Sequence, residues 1–257
     1  MELVLIGSGN IATVLGKSFY ERGISIKQVY SQNIIHAQQL ANQIGAIAID
    51  QLSAISPQAD AYIMAVSDHA IAPIAASLKL GNQLLVHTAG SVSQDVLSQA
   101  SSNYGVFWPM KMIRKGQEGM GSVQIVIDGS SNSNKSYLSN LARLIGAQVA
   151  FANNDQREKL HLMAVVCSNF TNHLYHLAAD YCKKNNLDFS LLYSIISQTA
   201  AGIQGEDPAT TQAGPAFRGD IATMEKHLML LKEEPVLLDF YREFSKSIQD
   251  LNRDEGK

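Results

Sequence analysis

An uncharged helical stretch near the middle of the chain carries side chains suited to acid–base chemistry. Residues 160–179, LHLMAVVCSNFTNHLYHLAA, contain no Lys, Arg, Asp or Glu. At about 100° per residue, one face of a helix carries His161, Ser168, Asn169, Asn172 and His176. Because imidazole titrates near neutral pH, His161 could supply the proton that a carbonyl or imine group needs during reduction by hydride. Asn169 and Asn172 could orient such a substrate through hydrogen bonds.

The same face has other interpretations. A solvated face ordinarily carries Lys and Glu, so neutral polar groups indicate contact with a cleft, a partner subunit or both. The groups could also form a buried polar stripe in which they satisfy one another. A third interpretation is a metal site on His173 and His176, although these point about 60° apart on the helix and no carboxylate accompanies them.

A second candidate for substrate binding is Arg218, in the stretch QAGPAFRGD at residues 212–220. Gly214-Pro215 predicts a turn, and Asp220 is a typical N-cap for a following helix. A guanidinium in such a rigid loop could hold a carboxylate or a phosphate in a bidentate manner. The alternative is an ion pair or hydrogen bonds to nearby carbonyl groups.

The hydride itself needs a cofactor, and the start of the chain predicts a site for one. The stretch LVLIGSGNIATVLG, residues 3–16, places Gly7-x-Gly9-x-x-Ala12 between an apolar strand and a helix. The first glycine permits the turn, the second lets the backbone approach a pyrophosphate, and the small third residue lets the helix lie close to the strand. We therefore expect the five residues of the turn to bind the pyrophosphate: Gly7, Ser8, Gly9, Asn10 and Ile11.

The end of the second predicted strand favours NADP(H) over NAD(H). An NAD site usually has Asp or Glu about 20 residues after the glycines. Here the region reads Ser31-Gln32-Asn33, without a carboxylate that would repel a 2′-phosphate. No Arg follows the strand either, and the three residues could simply form a turn.

Ligands of open α/β sheets bind beyond the carboxyl ends of the strands. Val66-Ser67 and His87-Thr88 stand at two such ends and are further candidates for cofactor binding. Ser67 could equally serve as an N-cap. Trp108, the only tryptophan, is predicted beside the same cleft or as a core aromatic residue.

Two different sequence patterns predict two domains. Up to residue 153, short apolar runs alternate with helical stretches, which is typical of a doubly wound, mostly parallel α/β sheet of the Rossmann type. From residue 154 to 257 we expect an all-helical domain that begins with one long helix over 155–184. The expected strands are 3–6, 26–30, 46–49, 61–66, 84–87, 105–108, 123–127 and 147–151.

Composition excludes several classes of protein. The chain has 257 residues, is 46% hydrophobic and 17% charged, and carries a formal charge of −3. Without a Lys/Arg run it does not predict a nucleic-acid partner, and residues 160–179 are too polar for a membrane span. We expect no signal peptide and a cytoplasmic protein, in keeping with two cysteines that show no metal-ligand spacing.

Three stretches resemble one known family: IGSGNIA, LHLMAVVCSNFTNHLYHLA and QAGPAFRGD. It is the family of Rossmann-like NADP oxidoreductases whose C-terminal helical domain has no known function. More distantly the chain is similar to pyrroline-5-carboxylate reductase, deazaflavin-dependent NADP reductases and β-hydroxyacid dehydrogenases. These resemblances imply an N-terminal NADP domain, a helical domain that completes the active site, and a homodimer formed through the helical domain.

The resemblance implies a reaction class without naming a substrate. β-Hydroxyacid dehydrogenases use a Lys and an Asn about one turn apart on the long helix, and here no Lys lies between His161 and Asp180. His161 would have to replace that Lys, or the proton donor lies elsewhere. The expected function is hydride transfer between NADP(H) and a small carbonyl or imine compound in the cleft between the domains. The alternatives are a dinucleotide-binding sensor without activity and an enzyme that exchanges hydride with a flavin-like coenzyme.

Overall fold

The computed structural model describes residues 1–114, 116 and 119–255. The chain divides into two compact units, Met1–Ser168 and Asn169–Lys257. The first unit includes the helical segment that carries His161. The domain boundary expected between residues 153 and 154 stays a prediction.

The first unit is built on an eight-stranded sheet in the order β3-β2-β1-β4-β5-β6-β7-β8. Neighbouring strands are parallel except β6 and β7, which are antiparallel. The order reverses at β1, which pairs with β2 on one side and β4 on the other, so the crevice for a ligand opens beside β1. The strands are β1 (Glu2–Ile6), β2 (Ser25–Tyr30), β3 (Ile47–Ile49), β4 (Ala61–Met64), β5 (Leu84–His87), β6 (Tyr104–Met110), β7 (Gln124–Gly129) and β8 (Gln148–Phe151).

Helices cover both faces of this sheet, which confirms the predicted fold class. Leu3 and Leu5 of β1 belong to one buried cluster, whereas Val4 and Ile6 belong to another. Since successive side chains of a strand point to opposite faces, a strand that is apolar throughout must be covered on both. The helices that cover the two faces are α1 (Asn10–Glu21), α2 (Ile34–Ile44), α3 (Asp68–Ser77) and α4 (Asn132–Leu144).

The long helix expected over 155–184 is interrupted by a wider turn. It consists of α5 (Asn154–Ala164), a π-helical segment (Val165–Phe170) and α6 (Thr171–Lys184). A π-helical segment accommodates an extra residue, so side chains beyond it are rotated relative to an ideal helical wheel. The polar side chains from His161 to Asn172 were predicted to share one face, and the π-helical segment interrupts that face.

The second unit contains the remaining helices, α7 (Tyr193–Gly202), α8 (Pro215–Arg218), α9 (Ile221–Leu230) and α10 (Pro235–Glu255). A 3₁₀ turn at Phe189–Leu192 precedes α7. Asp220 caps α9 as predicted, since its Oδ1 accepts a hydrogen bond from the Thr223 N–H at 3.1 Å. Among the described residues, no helix is both long and apolar enough to span a bilayer.

Candidate functional site

The two glycines of the N-terminal turn have different structural roles. Gly7 has φ +122°, and a Cβ built on it would lie 2.2 Å from the Ala65 carbonyl oxygen, so the fold itself requires glycine there. Gly9 has an ordinary φ of −74°, and a Cβ built on it meets nothing within 4 Å. Because packing does not explain Gly9, its bare backbone fits the close approach of a pyrophosphate from outside the protein.

A cavity of about 790 Å³ opens at this turn, beyond the carboxyl ends of β1, β2 and β4. Nine of the twelve residues predicted to bind the cofactor line it: Gly7, Ser8, Gly9, Asn10, Ile11, Ser31, Gln32, Val66 and Ser67. The backbone N–H of Gly7 donates to the Tyr30 carbonyl at 2.8 Å, which ties the turn to the end of β2. The structure thus brings the glycine turn, the expected adenosine side and the loop after β4 to one cavity.

The other three predicted cofactor residues lie outside this cavity. Asn33 is the N-cap of α2, and its Oδ1 accepts a hydrogen bond from the Ile35 N–H at 3.0 Å. Thr88 is 2% exposed and its backbone N–H donates to the Met64 carbonyl at 3.1 Å. His87 is fully buried at the end of β5.

His87 is held in its neutral form. Its Nδ1 accepts a hydrogen bond from the Ala89 N–H at 3.2 Å. Burial, and then the positive charge of Arg157, lower the pKa of His87 from 6.5 to about 4. A neutral imidazole here stabilises the turn after β5.

Arg157, on α5, is a fully buried charged residue that sequence reasoning missed. Its guanidinium donates to the Val92 carbonyl and, at 2.8 Å, to Asn154 Oδ1. Asn154 Nδ2 in turn donates to Ser93 Oγ at 2.8 Å. The first turns of α5 therefore hold the loop that follows β5. A single Arg in a polar helical stretch gives no indication, in the sequence, that its side chain will be buried.

His161 lies one turn further along α5 and packs beside that same loop. Its ring is 5.7 Å from the Trp108 ring, centroid to centroid, at an angle of 58°. A Cβ built on Gly90 would lie 2.6 Å from His161 Cδ2 and 2.8 Å from Trp108 Cε2. The imidazole of His161, the predicted proton donor, is thus half-buried against Gly90. Any larger residue at position 90 would have to displace it.

A second polar bridge spans the loops after β4 and β5. Ser91 Oγ donates a hydrogen bond to Asp68 Oδ2. Asp68 lines the 790 Å³ cavity together with Ser67 and His69, whose Oγ and Nε2 lie 3.3 Å apart. The pairing of Asp68 with Ser91 was not predicted from the sequence, since the two residues lie 23 positions apart.

An adjoining cavity of about 480 Å³ shares Ser8, Gly9 and Asn10 with the first. Lys17, His36 and Arg114 also line it, and they come from α1, α2 and the segment after β6. Sequence reasoning missed this basic group because its members are far apart along the chain.

The remaining predicted site residues belong to the second unit. Asn169 is the fifth residue of the π-helical segment, Asn172 is exposed on α6, and Arg218 is exposed at the end of α8. Arg218 therefore lies on a one-turn helix instead of the expected loop. The rings of His173 and His176 are 6.1 Å apart, and no group of three or more His, Cys, Asp or Glu side chains in the described part of the chain could hold a metal ion.

Two family models match the chain. Residues 2–90 match the model described as NADP oxidoreductase coenzyme F420-dependent, and residues 123–248 match a domain of unknown function, DUF2520. No curated protein gives a significant match.

Solved structures match nearly the whole chain. A "putative NADP oxidoreductase" from Bacteroides fragilis is 36% identical, with a TM-score of 0.87, over 97% of this chain and 98% of that one. A protein from Thermotoga maritima is 20% identical, with a TM-score of 0.72, over 99% and 100% of the two chains. A reductive aminase from Aspergillus terreus, in complex with NADPH and ethyl-5-oxohexanoate, is 13% identical, with a TM-score of 0.71, over 98% and 94%. The last two likenesses concern the fold alone.

Proposed function

Because this chain belongs to the NADP oxidoreductase family, we propose that it transfers hydride between NADP(H) and a small carbonyl or imine compound bound beside His161. The observation that carries the proposal is the 790 Å³ cavity, which joins the glycine turn to the loops after β2 and β4. The structural relatives include a reductive aminase in complex with NADPH and an imine reductase in complex with NADP⁺, which supports this substrate class.

The glycine turn would hold the pyrophosphate through the N–H groups at the start of α1. The absence of any Cβ at Gly9 leaves this approach open. Ser31 and Gln32 would bind the adenosine side, where no carboxylate ends β2 to repel a 2′-phosphate. Lys17 and Arg114, which line the adjoining cavity, would add positive charge, because no Arg directly follows β2.

When bound, the nicotinamide supplies or accepts the hydride. The work of the protein is to orient the substrate and to hold the proton. His161 would hold that proton on a ring nitrogen and deliver it to the substrate oxygen or nitrogen as charge develops there. Trp108 and Gly90 fix the imidazole in place, and Arg157 holds the loop against which it rests. Asn169, Asn172 and Arg218 remain candidates for substrate binding.

A titration of Trp108 fluorescence with NADPH and with NADH tests the cofactor side. We expect tighter binding of NADPH, and quenching by NADH alone would overturn the assignment. Consumption of NADPH is then followed with a panel of ketones, keto acids and cyclic imines.

His161→Gln tests the proton donor and keeps a polar side chain of similar reach. It should lower kcat by at least tenfold, since general acid catalysis is worth about 10²–10⁴-fold, and leave NADPH affinity unchanged. His176→Gln is the matched control, because the side chain of His176 is 62% exposed on α6. A fully active His161→Gln enzyme would eliminate the assigned role.

Two other functions are considered: hydride exchange with a flavin-like coenzyme, and dinucleotide binding without a reaction. Residues 2–90 match a family described as coenzyme F420-dependent, which favours hydride exchange with a flavin-like coenzyme as the second candidate. Adding coenzyme F420 and FMN to the substrate panel separates it from carbonyl or imine reduction. If no panel member is turned over, a dinucleotide-binding sensor becomes the better reading.

We further propose that the protein is a homodimer that uses its helical unit. Large apolar side chains of that unit are widely exposed, among them Leu191 at 78%, Met229 at 73% and Leu230 at 65%. Exposed large apolar side chains are typical of surfaces that bind another protein, so we expect these side chains to pack against a second copy. Light scattering after size exclusion should give twice the mass of 27.9 kDa. A monomer at micromolar concentration would contradict this.

A further inference from the structure

We propose that Asp68, held by Ser91, makes this site selective for a positively charged iminium substrate over a neutral carbonyl compound. The inference rests on the proposed function and names its substrate class. It is carried by the position of the carboxylate, by the charge of the cavity and by the packing of His161 against the loop that contains Ser91.

Asp68 stands where the nicotinamide half of the cofactor is expected. The strand order reverses beside β1, and a dinucleotide lies across that point. The adenosine half belongs to the end of β2, so the other half extends toward the ends of β4 and β5. Asp68 follows β4, and Ser91 follows β5.

The Ser91 hydroxyl positions the carboxylate without neutralising it. It donates to Asp68 Oδ2, and among the described residues Ser91 is the only hydrogen-bond partner of that carboxylate. The side chain of Asp68 is exposed toward the cavity that it lines. Its other oxygen can therefore face a ligand.

Among the described residues that line the cavity, Asp68 carries the only full negative charge and there is no Lys or Arg. A location in the first turn of α3 accounts for the stability of an acid there. The helix position of Asp68 does not explain why Ser91, from another loop, donates a hydrogen bond that holds the carboxylate at the cavity wall. A cationic substrate would gain from this charge, and a neutral ketone would not.

His161 packs against the same loop. Gly90, the neighbour of Ser91, is packed against the rings of His161 and Trp108. A neutral imine could take a proton from His161 to become an iminium, which Asp68 would stabilise. The substrate carbon then accepts hydride, the C=N π electrons become the nitrogen lone pair of an amine, and NADPH is oxidised to NADP⁺.

The test compares a cyclic imine, 2-methyl-1-pyrroline, with cyclopentanone as substrates of the full-length protein. Asp68→Asn keeps the size of the side chain and an acceptor for Ser91 but removes the charge. It should lower kcat/KM for the imine at least tenfold more than for the ketone, and Asp68→Glu should restore most of the preference. NADPH affinity, from Trp108 fluorescence, should change less than threefold.

Asp155→Asn is the matched control, since Asp155 is another exposed aspartate in the first turn of a helix of the same unit. Equal losses for both substrates, or a loss confined to NADPH affinity, would overturn the inference while leaving the proposed function intact. If the wild-type protein reduces neither compound, calorimetry with 2-methylpyrrolidine and NADP⁺ decides. Binding of this cationic amine that Asp68→Asn weakens tenfold supports the charge selectivity, and equal binding refutes it.

Discussion

Replacing Gly90 with alanine tests the packing between the loop after β5 and the proposed proton donor. The added Cβ would lie 2.6 Å from His161 Cδ2, and 2.8 and 2.9 Å from two atoms of the Trp108 ring. Ordinary contacts of a Cβ begin at 3.4 Å. The difference from 2.6 Å means that the imidazole must retreat by about 0.8 Å or the loop must move away by as much.

This displacement has two expected consequences. Overpacking a well-packed site typically costs about 1–3 kcal/mol, so the free energy of unfolding should fall by that amount. A misplacement of about 1 Å at a catalytic group can lower the rate by about 10²-fold. We therefore expect a loss of kcat/KM far larger than the change in NADPH affinity, because Gly90 does not line the cavity at the glycine turn.

Urea unfolding monitored by Trp108 emission measures the stability, and NADPH oxidation measures the activity. Gly202→Ala is the control, because a Cβ at Gly202 meets nothing within 4 Å and its φ is not positive. It should leave both quantities nearly unchanged. An active Gly90→Ala enzyme with wild-type stability and an unshifted Trp108 spectrum would refute the packing of His161 described above.

Two more predictions concern the cofactor turn and the effect of pH. Gly9→Ala should change the free energy of unfolding by less than about 0.5 kcal/mol. It should weaken NADPH binding at least tenfold, as measured by fluorescence titration. Unchanged affinity would argue against a pyrophosphate at Gly9. The pKa of His87 is lowered from 6.5 to about 4 in the folded state, so only the unfolded chain takes up this proton as the pH falls from about 6.5 to 4. Stability should therefore decrease over that window by up to about 3 kcal/mol, and His87→Asn, which keeps an acceptor for the Ala89 N–H, should show a shallower loss in pH-dependent urea unfolding.

Much of the fold could be predicted from local patterns. Apolar runs such as that of β5 can be buried only in a sheet covered on both faces, and its bounds at Leu84–His87 were predicted without error. The cap at Asp220 followed from residue type alone. The π-helical turn at Val165–Phe170 was not predictable, because the periodicity of the sequence there fits an ordinary helix as well.

The candidate site could be predicted where its residues are consecutive and not where they are distant. Gly7 to Ile11 share one turn, so their spacing alone indicated a phosphate site. The partnership of Asp68 with Ser91 and that of Arg157 with Val92 depend on which strand ends meet, and no local pattern records this.

The sequence by itself determined the class of fold and the dinucleotide cofactor, because strand–turn–helix patterns and glycine spacing act over a few residues. The family followed from the resemblance of three stretches of the chain. Only the tertiary structure distinguished Gly7, which the fold requires, from Gly9, which a ligand would require, since that difference depends on the Ala65 carbonyl of a neighbouring strand end. It also decided that His161 rests on Trp108 and Gly90, and that a carboxylate stands at the cavity wall. These are contacts between segments far apart in the chain, and they form only when the sheet sets the order of its strands.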